Sequence, residues 1–324
     1  MRALRFEKTG SLDDLTVQEL SMPKPGPGEV LVQVKAAAIN PSDLKNVLGF
    51  MHITTLPRTP GRDFAGVVTE GPAALVGKSV FGSGGSLGFG RDGSHAEFMT
   101  APEVAVLPMP KGFSFEQAAA VGVAYMTAWA AIVKAAQLKK GETALILGTT
   151  GAVGSAAARI ARRQGARVLG TVRKKADLAA ASASKLPVDV WLDLESDELS
   201  KSVRDATGGK GADVILDVVG GLMFEKCLAA LAWRGRQVAI SSSPEPRVSF
   251  NLVNFYHNES RLLGADSLKI SFQEAGEILR ELTPGFESGE FPPPEIKTYP
   301  LAQGPEAYRA MQEGRVKGKV VLVA

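Results

Sequence analysis

The chain has 324 residues, 45% of them hydrophobic and 22% charged, with a formal net charge of +3. That length suits two domains with large cores, and the composition is that of an ordinary globular protein. A charge this small calls for neither nucleic acid nor an anionic membrane as partner, and the single cysteine, Cys227, excludes an internal disulfide. It fits a reducing compartment. The first residues lack the apolar core of a signal peptide, and no uninterrupted apolar run approaches the roughly 18 residues of a membrane span. A cytoplasmic protein is expected.

Residues 1 to about 110 do not alternate strand and helix. Short strands are predicted over 30–36, 64–69 and 79–81, broken by glycine and proline, with one helix over 42–48. The run 82–93 (GSGGSLGFGRDG) reads as a loop too flexible to be core. These are the signs of a mostly β, partly open barrel. Helical pattern returns at Phe115 and is strong over 124–137.

From 141 to about 264 the pattern is α/β, with strands predicted over 144–147, 168–172, 190–193, 214–218, 237–241 and 261–264. Helices between the first five imply a doubly wound parallel sheet of the Rossmann type. The tail reads as helix, proline-rich loop, helix and a last strand over 319–323. That strand is assigned back to the first domain.

The most informative stretch lies at the start of the α/β part. An apolar strand is followed by Gly148, Gly151 and Gly154, then by a helix with Val153, Ala156, Ala157, Ile160 and Ala161 on one face. Gly165 stops it, and a second strand follows. Free amides at the helix start, among Thr150, Gly151, Ala152, Val153 and Gly154, make an anion site suited to a pyrophosphate. A tight connection with no ligand is the alternative. After the second strand come Thr171, Arg173 and Lys174, where an NAD site would place an acid. Cations there favour the 2′-phosphate of NADPH, unless they merely solvate the next helix.

The chain resembles the zinc-independent branch of the medium-chain dehydrogenase/reductases, close to the NADPH-dependent, zeta-crystallin-like quinone oxidoreductases. The resemblance is nearly full length. It rests on AAAINPSDLK (36–45), PGRDFAGVV (60–68), GSHAEF (93–98), AAAVGVAYMTAW (118–129), GTTGAVGS (148–155), GADVILDVVGG (211–221) and GKVVLV (318–323). It implies a GroES-like domain over 1–120 and 263–324 around a Rossmann domain over 121–262, and a homodimer. The implied activity is hydride transfer from NADPH to a quinone without metal. Alternatives are reduction of α,β-unsaturated ketones, aldehydes or enoyl thioesters, or a non-enzymatic NADPH-binding sensor or RNA-associated protein.

By the same resemblance Asn40 and Thr127 lie near the nicotinamide and Asp43 fixes the Asn40 loop. Val219, Gly220, Ser241 and Ser242 line the cofactor pocket, and Lys319 has a cofactor role. An ordinary turn is the alternative for Asn40 and Asp43. Zinc-bearing relatives carry a cysteine near the place of Asn40 and Gly-His-Glu at Gly61-Arg62-Asp63, and Arg62 cannot ligate a metal. Met51 and Leu194 stand where many relatives have tyrosines. Tyr125, Tyr256 and His257 are then the candidate proton donors, with Tyr125 read as core and Tyr299 and Tyr308 as packing residues.

Overall fold

The computed structural model describes residues 1–195, 198–241 and 245–324. The chain divides into two units, Met1–Met126 with Ser267–Ala324, and Thr127–Asp266. In chain order the strands are β1 (Arg2–Arg5), β2 (Thr16–Glu19), β3 (Glu29–Ala38), β4 (Asp63–Glu70), β5 (Ser79–Gly82), β6 (Phe98–Pro102) and β7 (Val106–Pro108). There follow β8 (Thr143–Ile146), β9 (Arg167–Val172), β10 (Val190–Asp193), β11 (Ala212–Asp217), β12 (Leu231–Ala239), β13 (Arg261–Gly264), β14 (Ile296–Pro300) and β15 (Lys319–Val323).

The first unit is built on β3, which alternates apolar and polar residues and then runs into three alanines. Its neighbours give the order β14-β15-β3-β4-β5-β7, with β6 also paired to β3. Gly66 in β4 is required by close approach, since a Cβ there would lie 2.1 Å from the Gln33 carbonyl oxygen. The final strand, β15, runs antiparallel to β3, with Val321 opposite Ala38. The chain's last strand therefore lies beside the residues that lead into Asn40.

The second unit carries one parallel sheet in the order β10-β9-β8-β11-β12-β13. Its central strands have apolar, buried middles, Ala144–Ile146 and Val214–Leu216, as strands covered on both faces do. Helices Ala152–Arg163, Leu199–Ala206 and Leu222–Ala230 connect them. The helical stretch Phe115–Ala135 is long and apolar enough to cross a membrane by length and composition, but 78% of its most apolar window is buried within the protein. It reads as a core helix.

The run 82–93 differs from the flexible loop expected. Leu87 and Phe89 are fully buried, and Ser83 with them. Its glycines serve contact rather than freedom: a Cβ on Gly88 would meet the Gly61 amide nitrogen at 2.9 Å, and Gly88 has φ +78°. β1, β2, β6, β7 and β14 also escaped the periodicity, being three to five residues long.

Candidate active site

The first unit gathers a buried polar cluster around Asp63. β4 begins at Asp63, so its carboxylate faces the end of β3 and the start of helix Gly122–Trp129. One oxygen, Oδ1, accepts from the Ser83 hydroxyl at 2.5 Å and from the Val123 amide at 2.8 Å. The other, Oδ2, accepts from Asn40 Nδ2 at 3.0 Å and lies 3.8 Å from the Lys319 ammonium. Lys319 in turn donates to Asn40 Oδ1. Gly122 is required because a Cβ there would lie 2.3 Å from Asp63 Oδ1.

Helix Pro41–Val47 starts with its first amides covered from within. Asp43 Oδ2 accepts from the Asn40 amide at 2.8 Å, an N-terminal capping contact. Burial pushes the Asp43 carboxyl up from 3.8 to about 6; the charge of Asp63 adds to the rise, while the Asn40 amide, Arg62 and Lys319 oppose it. Burial likewise holds Lys319 below the usual lysine range, against the pull of Asp63 and Asp43. Arg62, fully buried, donates to the Ser267 carbonyl at 2.8 Å and faces the Phe89 ring.

A second buried pair braces the same region. Tyr308 OH lies 2.9 Å from His95 Nδ1, and His95 Nε2 lies 3.2 Å from the Ala38 carbonyl oxygen. A carbonyl only accepts, so Nε2 carries the proton and Nδ1 accepts from the phenol. Burial lowers His95 from 6.5 to about 4, which agrees with a neutral ring. Tyr308 thus belongs to this polar network as well as to the packing expected of it. Tyr125 packs edge-on against Phe286 at 5.0 Å. Tyr256 and His257 are exposed.

In the second unit the glycine turn is held by two threonines. Thr149 Oγ1 donates to the Ile146 carbonyl at 2.6 Å and accepts from the Thr171 amide at 2.8 Å. Thr171 Oγ1 donates to the same carbonyl at 3.3 Å and accepts from the Gly148 amide at 3.1 Å. Gly148 needs its φ of +59°, and a Cβ on Gly154 would lie 2.2 Å from the Gly148 carbonyl oxygen. Gly151 precedes the helix Ala152–Arg163, and among the described residues no protein acceptor takes the amides of Ala152, Val153 and Gly154. Thr150, Gly151 and Ala152 are exposed and Val153 half-buried.

Arg173 and Lys174 follow β9 directly, are exposed, and among the described residues form no ion pair. Asp217, at the end of β11, accepts from the amides of Val219 and Gly220 at 2.9 and 2.8 Å and from Gln237 Nε2 at 3.0 Å. It shapes the loop that carries two of the expected cofactor residues. Ser241 is half-buried just past β12, whereas Ser242 lies outside the described residues. Thr127 is nearly buried on helix Gly122–Trp129.

Two placements differ from expectation. Thr171 spends its hydroxyl inside the glycine turn, which it helps to shape. Lys319 is 7% exposed and committed to Asn40 and Asp63, so it braces the barrel cluster. The roles of Asp63, His95 and Tyr308 were not recognisable as a group. Their partners are far apart in sequence, and only the motifs PGRDFAGVV and GSHAEF pointed at two of them.

A family model described as "Alcohol dehydrogenase GroES-like domain" matches residues 26–111, and one described as "Zinc-binding dehydrogenase" matches residues 186–322. A zinc-type alcohol dehydrogenase-like protein of Schizosaccharomyces pombe is 35% identical, over 90% of this chain and 86% of its own length. The chain belongs to the medium-chain dehydrogenase/reductases. Within that family it is quinone oxidoreductase-like: the quinone oxidoreductase of Homo sapiens is 29% identical over 100% of this chain and 98% of its own length. A solved NAD-dependent alcohol dehydrogenase superposes with a TM-score of 0.88 at 32% identity, covering 100% of both chains. A mycobacterial protein solved in complex with NADPH superposes with a TM-score of 0.85 at 26% identity, again covering 100% of both. As a medium-chain dehydrogenase/reductase the chain is an oxidoreductase that binds a nicotinamide cofactor. Although one matching model is named for zinc, the residue between Gly61 and Asp63 is an arginine bound to a backbone carbonyl. Among the described residues no group of three or more His, Cys, Asp or Glu is placed to hold a metal ion.

Proposed function

We propose that this protein is a zinc-independent NADPH:quinone oxidoreductase. The observation that carries the cofactor choice is the pair Arg173 and Lys174, exposed and, among the described residues, in no ion pair at the end of β9 where a carboxylate would select NADH. The glycine turn fits a pyrophosphate: its free amides open a twelve-residue helix, and the turn leaves no room for larger residues at 148 and 154. Bound NADPH supplies the hydride, and with one proton from water the quinone becomes a hydroquinone.

The protein's share is binding and orientation. Ala152, Val153 and Gly154 would hold the pyrophosphate through their amides, and Arg173 and Lys174 the 2′-phosphate. Val219, Gly220 and Ser241 would follow the cofactor along the strand ends. Thr127 would stand beside the nicotinamide. Asn40 would donate its remaining amide hydrogen to the quinone oxygen as negative charge develops there. A hydroquinone oxygen is protonated readily by solvent, so no tyrosine acid is needed.

The relatives named quinone oxidoreductase, at full-length coverage, support this reading. An alkenone is the rival acceptor. The exposed apolar residues Leu252, Val253, Tyr256 and Leu262 support a homodimer. The experiment is NADPH oxidation with a benzoquinone. Reduction by wild type and its loss by tenfold or more in Asn40→Ala is expected; no oxidation with any quinone refutes the assignment.

A further inference from the structure

The Asn40 side chain could take two orientations, related by a half-turn that exchanges its oxygen and nitrogen. Its two neighbours remove the choice. Lys319 has only donors to offer, and the Asp63 carboxylate, which also accepts from Ser83 and Val123, takes a donor, so the carboxamide oxygen faces the ammonium and the nitrogen the carboxylate. With one N–H given to Asp63, the second N–H has no partner among the described residues.

We propose that Lys319 is a positioning residue that fixes the orientation of the Asn40 carboxamide and, through its charge, strengthens the remaining N–H as a donor to the substrate oxygen. This rests on the quinone reductase reading above. Strand pairing does not need the charge. β15 is already held on one side by β14, with Ile296 opposite Lys319, and on the other by β3. The Ile39 amide also donates to the Val320 carbonyl at 3.0 Å. A buried ammonium is costly wherever an apolar side chain would pack as well. Here it is aimed at the oxygen of an amide, where a cation draws electron density from the nitrogen and makes its hydrogen a better donor. Asp63 anchors both ends of the arrangement, and it is itself held by Ser83 and Val123.

The test is a double-mutant cycle on Asn40→Ala and Lys319→Met, with NADPH affinity measured by fluorescence titration. Lys319→Met is expected to lower single-turnover quinone reduction by about tenfold to a hundredfold, with NADPH affinity within about twofold of wild type. In the Asn40→Ala background the same change should cost almost nothing more. A crystal structure of Lys319→Met at atomic resolution, where the carboxamide oxygen and nitrogen are told apart directly, should show the carboxamide turned or disordered, a readout independent of activity. Additive rate losses, weakened NADPH binding, or an unmoved carboxamide would each overturn the inference. If Lys319→Met does not fold, Lys319→Arg carries the same cycle, because it keeps the charge and misplaces the donor. A wild type that oxidises NADPH with no quinone would refute the function instead, leaving the crystal structure to judge the positioning role.

Discussion

Asn40 donates its side-chain amide to the buried carboxylate of Asp63 at 3.0 Å, joining the end of β3 to the start of β4 across 23 residues of sequence. The contact places a polar side chain at the head of helix Pro41–Val47 while its own backbone amide is covered by Asp43. Asp63 is therefore the hub on which the cluster depends. Asp63→Ala would leave Lys319 buried without the carboxylate, and breaking a buried pair in this way costs about 3–5 kcal/mol. Urea unfolding should show a lower midpoint with an unchanged slope. A loss below about 1 kcal/mol would show that the cluster contributes little.

Two buried groups of the same unit give opposite responses to acid. Asp43 is raised from 3.8 to about 6, so its contribution is complete below its ordinary value and lost as pH rises through about 6. His95 is lowered from 6.5 to about 4, so its contribution is present above 6.5 and lost as pH falls through about 4. Each is worth about 3 kcal/mol, and between about pH 4 and 6 they offset each other. Relative to wild type, Asp43→Asn should lose stability more steeply on acidification and His95→Gln less steeply. Unfolding curves at pH 6.5 and 4.5 decide it. Slopes that match wild type would contradict both assignments.

How much of this was legible follows from distance along the chain. The glycine turn lies within one strand–helix–strand unit, so spacing alone exposed Gly148, Gly151, Gly154, Arg173 and Lys174. β13 and β15 stood out as short apolar runs at the observed positions. The Asp63 cluster assembles from 40, 63, 83, 123 and 319, and no local pattern announces such a set. The glycine-rich run 82–93 misled because composition cannot tell a glycine that must be small from one that must be free. Helix Pro41–Val47 is the capped helix start that the sequence allowed, and the side chain of its N-cap, Asn40, is turned toward Asp63 and Lys319, which no local pattern announces.

On the proposed reading, cofactor preference would follow from Arg173 and Lys174. Charge-assisted contacts contribute about 1.5–3 kcal/mol each, so NADPH should bind at least about tenfold tighter than NADH. Quenching of protein fluorescence measures both constants. Arg173→Ala with Lys174→Ala should remove most of the preference and leave NADH affinity unchanged; equal affinities in wild type would refute the 2′-phosphate site.

Turnover should be independent of metal. Dialysis against a strong chelator is expected to leave the rate within about twofold, because Arg62 stays protonated and offers no lone pair. Elemental analysis should find zinc well below one per chain. Stoichiometric zinc, removed with loss of activity, would overturn that expectation.

The central claim is quinone reduction by NADPH without a dedicated tyrosine acid. The most direct measurement is kcat/KM for a benzoquinone and for an alkenone, in wild type and in Tyr125→Phe, Tyr256→Phe and His257→Ala. Tyr125 is buried against the rings of Phe286 and Phe291, and Tyr256 and His257 are exposed. Quinone reduction should exceed alkenone reduction and persist to within about tenfold in all three variants, since losing a placed general acid costs about 10²–10⁴. A wild type that reduces the alkenone much faster, or a variant that loses the quinone reaction by about a hundredfold, would contradict it.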